Sequence, residues 1–276
     1  MDRPSQRCGS PTPVFAAAGV SGTRAKRLGS MLRLKMFVFA VALIAGVLGP
    51  AATSLAGTAR GTTVKSPAWA GYQANGSTFR TVSASWTVPV LTCLGTTAAG
   101  DADSYFWAGL GSGGSNSEQL GVREFCTGTL PAYIAYLGMN GLYEAQAIDP
   151  MPGDQITASV SYANGKFRFA LSDPTQQKAF SLLYRCGAFS FGQGRCSRST
   201  AEIIAGIGAP GRSPLADYGA VQFHNVSVTA DKRGSFAKTK HWKVTKIREY
   251  DGSSLAASPS SLSHSGTQFT DVWSHF

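Results

Sequence analysis

Charged side chains and long hydrophobic runs are both scarce in this chain. Lys, Arg, Asp and Glu together make up 14% of its 276 residues. The longest apolar run, Met36–Leu48, is too short to cross a bilayer comfortably, which argues against a transmembrane helix. Few segments have the periodicity of amphipathic helices, whereas Gly, Ser and Thr are abundant. These properties favour an extracellular all-β protein.

The apolar run has the features of a secretory signal. Arg33 and Lys35 precede it, small residues follow it, and Ser54-Leu55-Ala56 provides the best cleavage site, with Ala59 as an alternative. We therefore predict that residues 1–56 are an N-terminal extension with a signal peptide and that residues 57–66 are a short linker. Residues 67–276 would then form a single domain of a secreted protein.

Most of the positive charge lies in the predicted leader. The full chain has a net charge of +10, and residues 1–56 hold seven Lys or Arg and one Asp, which is +6, so the remainder is only +4. A surplus this small is poor evidence for a nucleic-acid partner, and none is expected. No membrane association is expected once the signal is removed.

The cysteines indicate disulfides. Cys8 lies in the leader, and four cysteines remain: Cys93, Cys126, Cys186 and Cys196. An even number in a secreted protein is typical of a disulfide framework, and four cysteines allow three pairings. We favour a local Cys186–Cys196 bridge together with Cys93–Cys126.

Several catalytic and metal-binding motifs are missing. The sequence has no Gly-x-Ser-x-Gly turn for a serine nucleophile and no Asp-Thr/Ser-Gly loops for an aspartic peptidase. It has no Cys-x-x-Cys or His-rich spacing for zinc, and neither a metal nor another cofactor is expected. All four histidines lie in the last quarter of the chain, where a triad formed in space stays possible without support from a motif.

Short strands recur at roughly ten-residue spacing, without crossover helices. Several alternate apolar and polar residues, as half-buried strands do, and Asn164-Gly165 and Asp251-Gly252 are turn signals. The predicted strands are Thr81–Val88, Ser104–Leu110, Ala132–Leu137, Gln155–Tyr162, Lys166–Leu171, Ala179–Tyr184, Ala220–Val228 and Trp242–Ile247. This pattern predicts an antiparallel two-sheet β-sandwich.

One glutamine and one glutamate, about eighty residues apart, stand in strand-like contexts. Gln119 lies in Ser-Glu-Gln-Leu-Gly and Glu202 lies in Ser-Thr-Ala-Glu-Ile-Ile. A carboxyl group can move protons and a neutral amide can hold an oxyanion, so the pair could hydrolyse peptides if the two side chains meet. Two carboxylates about 5–9 Å apart would instead suit a glycosidase, and Glu118, Glu124 and Glu144 keep that option open.

Seven segments in order resemble one peptidase family over most of residues 66–276. They are Trp69–Tyr72, Thr81–Pro89, Phe106–Leu110, Glu118–Gly121, Pro152–Ile156, Thr200–Ile204 and Leu215–Phe223. They are similar to the strands and catalytic motifs of the glutamic peptidases, family G1 or eqolisins. Gln119 falls on the family's catalytic Gln, and Glu202 falls on the Glu of its Ala-Glu-Trp/Phe-Ile motif.

The resemblance implies a fold and an activity. The fold would be a lectin-like jelly roll of two packed antiparallel sheets, with the active site on a concave sheet face. The activity would be that of a secreted acid endopeptidase that acts on polypeptides and is not inhibited by pepstatin. We expect a monomer.

The sequence departs from the family around the cleft. Tyr136 replaces a Trp of the family's Ala-Trp-Tyr-Glu-Trp-Tyr segment, whose Glu is absent, and Gly111 replaces an Asp. Arg123 replaces an Asp that follows the catalytic Gln, which favours acidic side chains in the substrate. Tyr105, Trp107 and Tyr136 are candidate subsite residues, with core packing as the alternative. The lost acids also leave open a non-catalytic sandwich that binds peptide or glycan in the same groove.

Overall fold

The computed structural model describes residues 62–93, 102–112, 117–139, 141–188, 196–208, 213–230, 233–236 and 241–274. The predicted leader and the start of the predicted linker lie outside these ranges. The described chain is built from strands, which confirms the all-β prediction. No helix long and apolar enough to cross a membrane occurs among these residues.

The described residues form sixteen strands, numbered in chain order. They are β1 (Thr62–Ser66), β2 (Trp69–Asn75), β3 (Thr81–Thr87), β4 (Asp103–Gly111), β5 (Ser117–Thr127), β6 (Leu130–Met139), β7 (Leu142–Ala145), β8 (Gln155–Ala163), β9 (Lys166–Asp173), β10 (Lys178–Arg185), β11 (Thr200–Gly206), β12 (Ala220–Thr229), β13 (Arg233–Gly234), β14 (Lys243–Asp251), β15 (Ser254–Pro259) and β16 (Phe269–Trp273). All eight strands predicted from alternation are present, some with shifted ends.

The strands form one hydrogen-bonded path that folds into two facing layers. The path runs β10-β9-β8-β3-β12-β16-β15-β14-β2-β11-β4-β5-β6-β7. Strands far apart on it face each other: β4 packs on β3 and β8, and β5 packs on β8 and β9. The neighbouring strands of the path are antiparallel, whereas β1 is parallel to β14. Part of the predicted linker, residues 62–66, is therefore a strand.

Strand β12 connects the two layers. Its first part, Ala220–Phe223, pairs with β16, and its last part pairs with β3. The register with β3 shifts between His224 and Ser227, and Asn225 has a φ of 52°. A bulge of this kind bends a strand and increases its twist, so one strand can pass from one sheet to the next.

Alternating side chains fill the space between the layers. In β8, Ile156, Ala158 and Val160 are buried while their neighbours are more exposed. In β11 every residue is buried, because this strand is central and is covered on both faces. The second face of β11 and its neighbours carries a separate apolar cluster, formed by Trp107, Tyr136, Ile204 and Ile247.

The predicted turn and disulfides are present. Asn164 and Gly165 join β8 to β9 with φ values of 51° and 73°, as a type I′ hairpin turn requires. Both predicted disulfides form: Cys93–Cys126 has a Cα–Cα distance of 5.6 Å and Cys186–Cys196 one of 5.7 Å.

Candidate active site

Gln119 and Glu202 lie on the same face of the sheet, separated by a single strand. Gln119 on β5 is opposite Gly109 on β4, and Gly109 is opposite Glu202 on β11. Adjacent strands are about 4.8 Å apart, so the two backbones are roughly 10 Å apart. The residue between them has no side chain, and their functional groups can therefore approach each other above Gly109.

Gly109 is needed to keep this space open. A Cβ atom at this position would lie 3.1 Å from Glu202 Oε1 and 3.2 Å from Trp107 Cδ1. A similar gap lies on the other side of Gln119, where a Cβ at Gly138 would be 2.9 Å from Gln119 Cγ. The two glycines thus leave room for the side chains of their cross-strand neighbours.

The carboxyl group of Glu202 is held from several sides. Trp107 Nε1 donates to Oε1 at 3.2 Å, and Gln73 Nε2 donates to Oε2 at 3.2 Å. The hydroxyl of Ser117 forms a further hydrogen bond with this carboxyl group. Because the side chain is only 2% exposed, these bonds replace those it would form with water.

Burial and hydrogen bonding act on Glu202 in opposite directions. Removal from water raises the pKa of its carboxyl group, while the bonds from Ser117, Trp107 and Gln73 lower it. Burial dominates, and the pKa of Glu202 lies above its ordinary value. A carboxyl group that holds its proton more readily than a free one is suited to take up and release a proton during a reaction.

The amide of Gln119 is held at both ends. Tyr136 Oη donates to Gln119 Oε1 at 3.0 Å, and Gln119 Nε2 donates to Ser117 Oγ at 3.4 Å, which is long for a hydrogen bond. Burial raises the pKa of Tyr136 well above its ordinary value, so this phenol stays a neutral donor. The NH₂ group of Gln119 is therefore directed toward Ser117.

Aromatic rings form a wall beside the two residues. Tyr105, Tyr136 and Tyr143 contact one another with ring centroids 5.2 to 6.0 Å apart. Trp69 meets Trp107 edge to face at 6.4 Å. Trp107 and Tyr136 are buried, and both contact Glu202 or Gln119 through a hydrogen bond, whereas Tyr143 is 42% exposed.

Arg123 lies on the same face, two residues beyond Gly121 on β5. Its guanidinium group donates from Nε and Nη2 to Asp103 Oδ1, at 2.9 and 2.6 Å. It also packs over the rings of Phe125 and Tyr105. Asp103 neutralises much of the positive charge that the sequence places here, and this weakens the argument for acidic side chains in a substrate.

Other glutamates do not share the space above Gly109. Glu118 and Glu124 are fully buried residues of β5 that alternate with Gln119, so they point to its opposite face. Glu144 is exposed on β7, the last strand of the path. No described carboxylate therefore forms the facing pair that a glycosidase needs.

Sequence reasoning missed four residues of this site: Gln73, Asp103, Ser117 and Tyr143. Ser117 could have been found, because two-residue alternation places it on the same face as Gln119. Gln73 and Asp103 become neighbours of Glu202 and Arg123 only through strand register. No group of three His, Cys, Asp or Glu side chains that could hold a metal ion occurs in the described part of the chain.

Comparison with solved structures shows that other proteins have the same fold. Scytalido-glutamic peptidase with a transition state analog inhibitor matches at a TM-score of 0.62 and 22% identity, over 75% of this chain and 98% of that one. SCP-B, a member of the Eqolisin family of peptidases in a complex with the tripeptide Ala-Ile-His, matches at 0.60 and 22%, with the same shares of the two chains. At this identity the likeness shows the fold.

Comparison of sequences shows the family. No curated protein matches the chain. The model of the family described as "Peptidase A4 family" matches residues 67–270, which include Gln119, Glu202 and the hydrogen-bond partners described above. This chain therefore belongs to the Peptidase A4 family, the G1 or eqolisin peptidases.

Proposed function

We propose that this protein is a secreted acid endopeptidase in which Glu202 and Gln119 hydrolyse the peptide bond with an activated water. The observation that carries the proposal is the cross-strand row in which only Gly109 separates the two residues. A carboxyl group and an amide group thus face the same small space, one able to titrate and the other neutral at every pH.

Glu202 is the general base and then the general acid. Its carboxylate takes a proton from water, and the water oxygen attacks the carbonyl carbon of the scissile bond. Glu202 then returns the proton to the amide nitrogen, and the C–N bond breaks to give a carboxylic acid and an amine. A positioned group of this kind contributes on the order of 10²–10⁴-fold to the rate.

Gln119 stabilises the negative charge that develops on the carbonyl oxygen. Its NH₂ group is aimed by the bond from Tyr136 at the other end of the amide. One such donor contributes roughly 10²–10³-fold, because it is already oriented before the charge appears. Trp107 and Gln73 hold Glu202 in place during the reaction.

The remaining sequence predictions complete the proposal. Residues 1–56 would direct secretion and be removed, and residues 67–276 would act as one domain and as a monomer. Trp107 and Tyr136, which contact the pair, and Tyr105 and Arg123, farther along the same face, would contact a polypeptide substrate. The paired aspartates that pepstatin binds have no counterpart among the proposed residues, so pepstatin should not inhibit.

The test is proteolysis by the mature protein. Residues 57–276 are incubated with a denatured protein between about pH 2 and 6, with pepstatin present. We expect cleavage at internal peptide bonds, identified by mass spectrometry. Binding of peptides or glycans without cleavage at any pH would instead support the non-catalytic alternative. The structural argument for that alternative is that Glu202 and Gln119 are both buried.

Substitution of Gly109 by Ala tests the space between the pair. The added methyl group would meet the Glu202 carboxyl group and the Trp107 ring at 3.1–3.2 Å. We expect kcat/KM to fall by about 10–100-fold, since small displacements of catalytic groups have effects of this size. The melting temperature should stay close to that of the wild type.

The matched control for this variant adds one atom to an exposed strand. Ala179→Ser on β10 should leave activity and stability unchanged, because Ala179 is exposed and lies at the other end of the strand path. Full activity in Gly109→Ala would show that the reaction does not use the space above Gly109.

A further inference from the structure

Ser117 lies between the two proposed catalytic side chains. It is fully buried, it points to the same face as Gln119, and it is opposite Gly111, which is in turn opposite Thr200 of β11. Gly111 has no side chain, so the Ser117 hydroxyl can reach across β4. It accepts a hydrogen bond from Gln119 Nε2 and is hydrogen-bonded to Glu202.

The hydroxyl of Ser117 has one hydrogen and two lone pairs, and this decides the direction of both bonds. An ionised Glu202 can only accept, so Ser117 must donate its hydrogen to the carboxylate. Ser117 can then only accept from Gln119, and the atom of the amide that faces it must be Nε2. The amide oxygen is left facing Tyr136 Oη, which donates to it at 3.0 Å.

We propose that Ser117 is a positioning residue that couples the orientation of the Gln119 amide to the proton on Glu202, an inference that rests on the proposed function. While Glu202 is ionised and ready to act as the base, Ser117 holds the NH₂ group of Gln119 in the oxyanion-binding direction. When Glu202 has taken the proton from water, its own O–H can donate to Ser117. The Ser117 hydrogen is then released from the carboxylate, and the hydroxyl, which has two lone pairs, accepts from both Glu202 and Gln119, so the surroundings of the Gln119 NH₂ group change with the proton on Glu202.

Few other titratable groups face Glu202. Tyr136 on β6 interacts with it and stays neutral, and Glu118 interacts with it from the opposite face of β5. Lys243 on β14 lies in the adjacent cross-strand row, opposite Asn75. On β2 and β4, the neighbours Gln73, Gly109 and Trp107 do not titrate. A hydroxyl that contacts both partners is therefore the direct connection between them.

The first experiment reads the coupling without any need for activity. The side-chain NH₂ signal of Gln119, identified by its loss in Gln119→Ala, is followed by NMR in isotope-labelled protein between about pH 3 and 7. In the wild type the signal should shift as Glu202 titrates, and this shift should be absent in Glu202→Gln. Ser117→Ala should lose most of the shift, while Ser117→Thr, which keeps the hydroxyl, should retain it.

The second experiment separates coupling from simple support. Ser117→Ala should lower kcat about tenfold with little change in KM, the effect of one lost hydrogen bond to a charged group. It should also move the acid limb of kcat/KM to higher pH, because the Ser117 bond lowers the pKa of Glu202. Tyr136→Phe should lower kcat without moving that limb, since Tyr136 bonds to Gln119 alone in the pair.

The outcomes distinguish a failure of the proposed function from a failure of the coupling through Ser117. A wild-type protein that cleaves nothing would overturn the proposed function, and the NMR titration would still decide whether Ser117 couples the pair. An unchanged Gln119 titration in Ser117→Ala would overturn the coupling, whatever the activity. An active Ser117→Ala enzyme with the wild-type pH profile would overturn it as well.

Discussion

Replacement of Glu202 by Gln is expected to lower kcat/KM by about 10²–10⁴-fold, because the variant keeps the shape of the side chain and loses the proton acceptor. Gln119→Ala should lower it by roughly 10²–10³-fold through loss of the oxyanion donor. The measurement is the initial rate of cleavage of a denatured protein or a quenched peptide at acidic pH. Thermal unfolding of each variant checks that the fold is retained.

The double variant makes this prediction sharper. Residues that act in one step are strongly non-additive, so Glu202→Gln/Gln119→Ala should be little worse than the more damaged single variant. The matched controls are Asp251→Asn and Gln222→Ala, two exposed strand residues away from the site. They should retain wild-type activity. Activity that survives in both single variants would refute the assignment of the pair.

Stability is expected to fall as the pH rises from about 4 to about 9. Neither carboxylate oxygen of Glu118 or Glu124 has a hydrogen-bond partner in another described residue. Burial raises the pKa of Glu118 from 4.5 to about 8, and it raises the pKa of Glu124 well above 4.5. Both side chains are stable in their buried positions only while they are protonated and neutral.

A second pair of buried acids, Glu249 and Asp271, has the same effect on stability. Burial, with the nearby charge of Asp271, raises the pKa of Glu249 from 4.5 to about 9. Burial also raises the pKa of Asp271 from 3.8 to about 7, although the hydrogen bond from Tyr218 Oη opposes this. Both side chains are almost fully buried, and the nearby positive charge of Lys246 lowers the pKa of Asp271 without overcoming the effect of burial.

The direction of the effect follows from linkage. Each of these acids has a higher pKa in the folded state than in the unfolded chain, so its contribution to stability is complete below about pH 4. The contribution is lost as the pH rises through the folded pKa values, about 7 to 9 for Asp271, Glu118 and Glu249. Each pKa unit corresponds to about 1.4 kcal/mol, so several kcal/mol are involved.

The measurement is the apparent melting temperature at pH values on both sides of this window. We expect it to be about 10 °C or more lower at about pH 8 than at about pH 4, since one kcal/mol shifts the midpoint of a domain of this size by about 2–4 °C. Glu118→Gln and Glu124→Gln, which do not titrate, should flatten the dependence. A protein that is equally stable at neutral pH would show that these carboxyl groups are solvated or paired.

Much of the fold could be predicted from the sequence, because alternation and turn residues are local signals. The strands β8 and β9 and their Asn164-Gly165 turn could be predicted in this way. The passage of β12 between layers could not, since it depends on a bulge near Asn225 and on the partners of each half of the strand. The neutralisation of Arg123 could not be predicted for a similar reason, because its partner Asp103 lies on another strand.

The candidate site likewise combines residues that could be predicted from the sequence with residues that could not. Gln119 and Glu202 could be chosen from their motif contexts, whereas Gln73 could not be linked to Glu202, which lies 129 residues further along the chain. Their contact exists because β2 and β11 pair in one particular register. A slip of one residue would turn Gln73 to the opposite face, and nothing in the local sequence of either strand fixes that register.

The sequence by itself determined which groups are candidates for the chemistry, a titratable carboxyl group and a neutral amide, and which strands carry alternate residues on one face. Only the tertiary structure decided that β4 lies between β5 and β11, so that Gly109 separates Gln119 from Glu202 and Ser117 touches both. The reason is physical: alternation is set by neighbouring residues in the chain, while strand order and register are set by the packing of the whole sandwich.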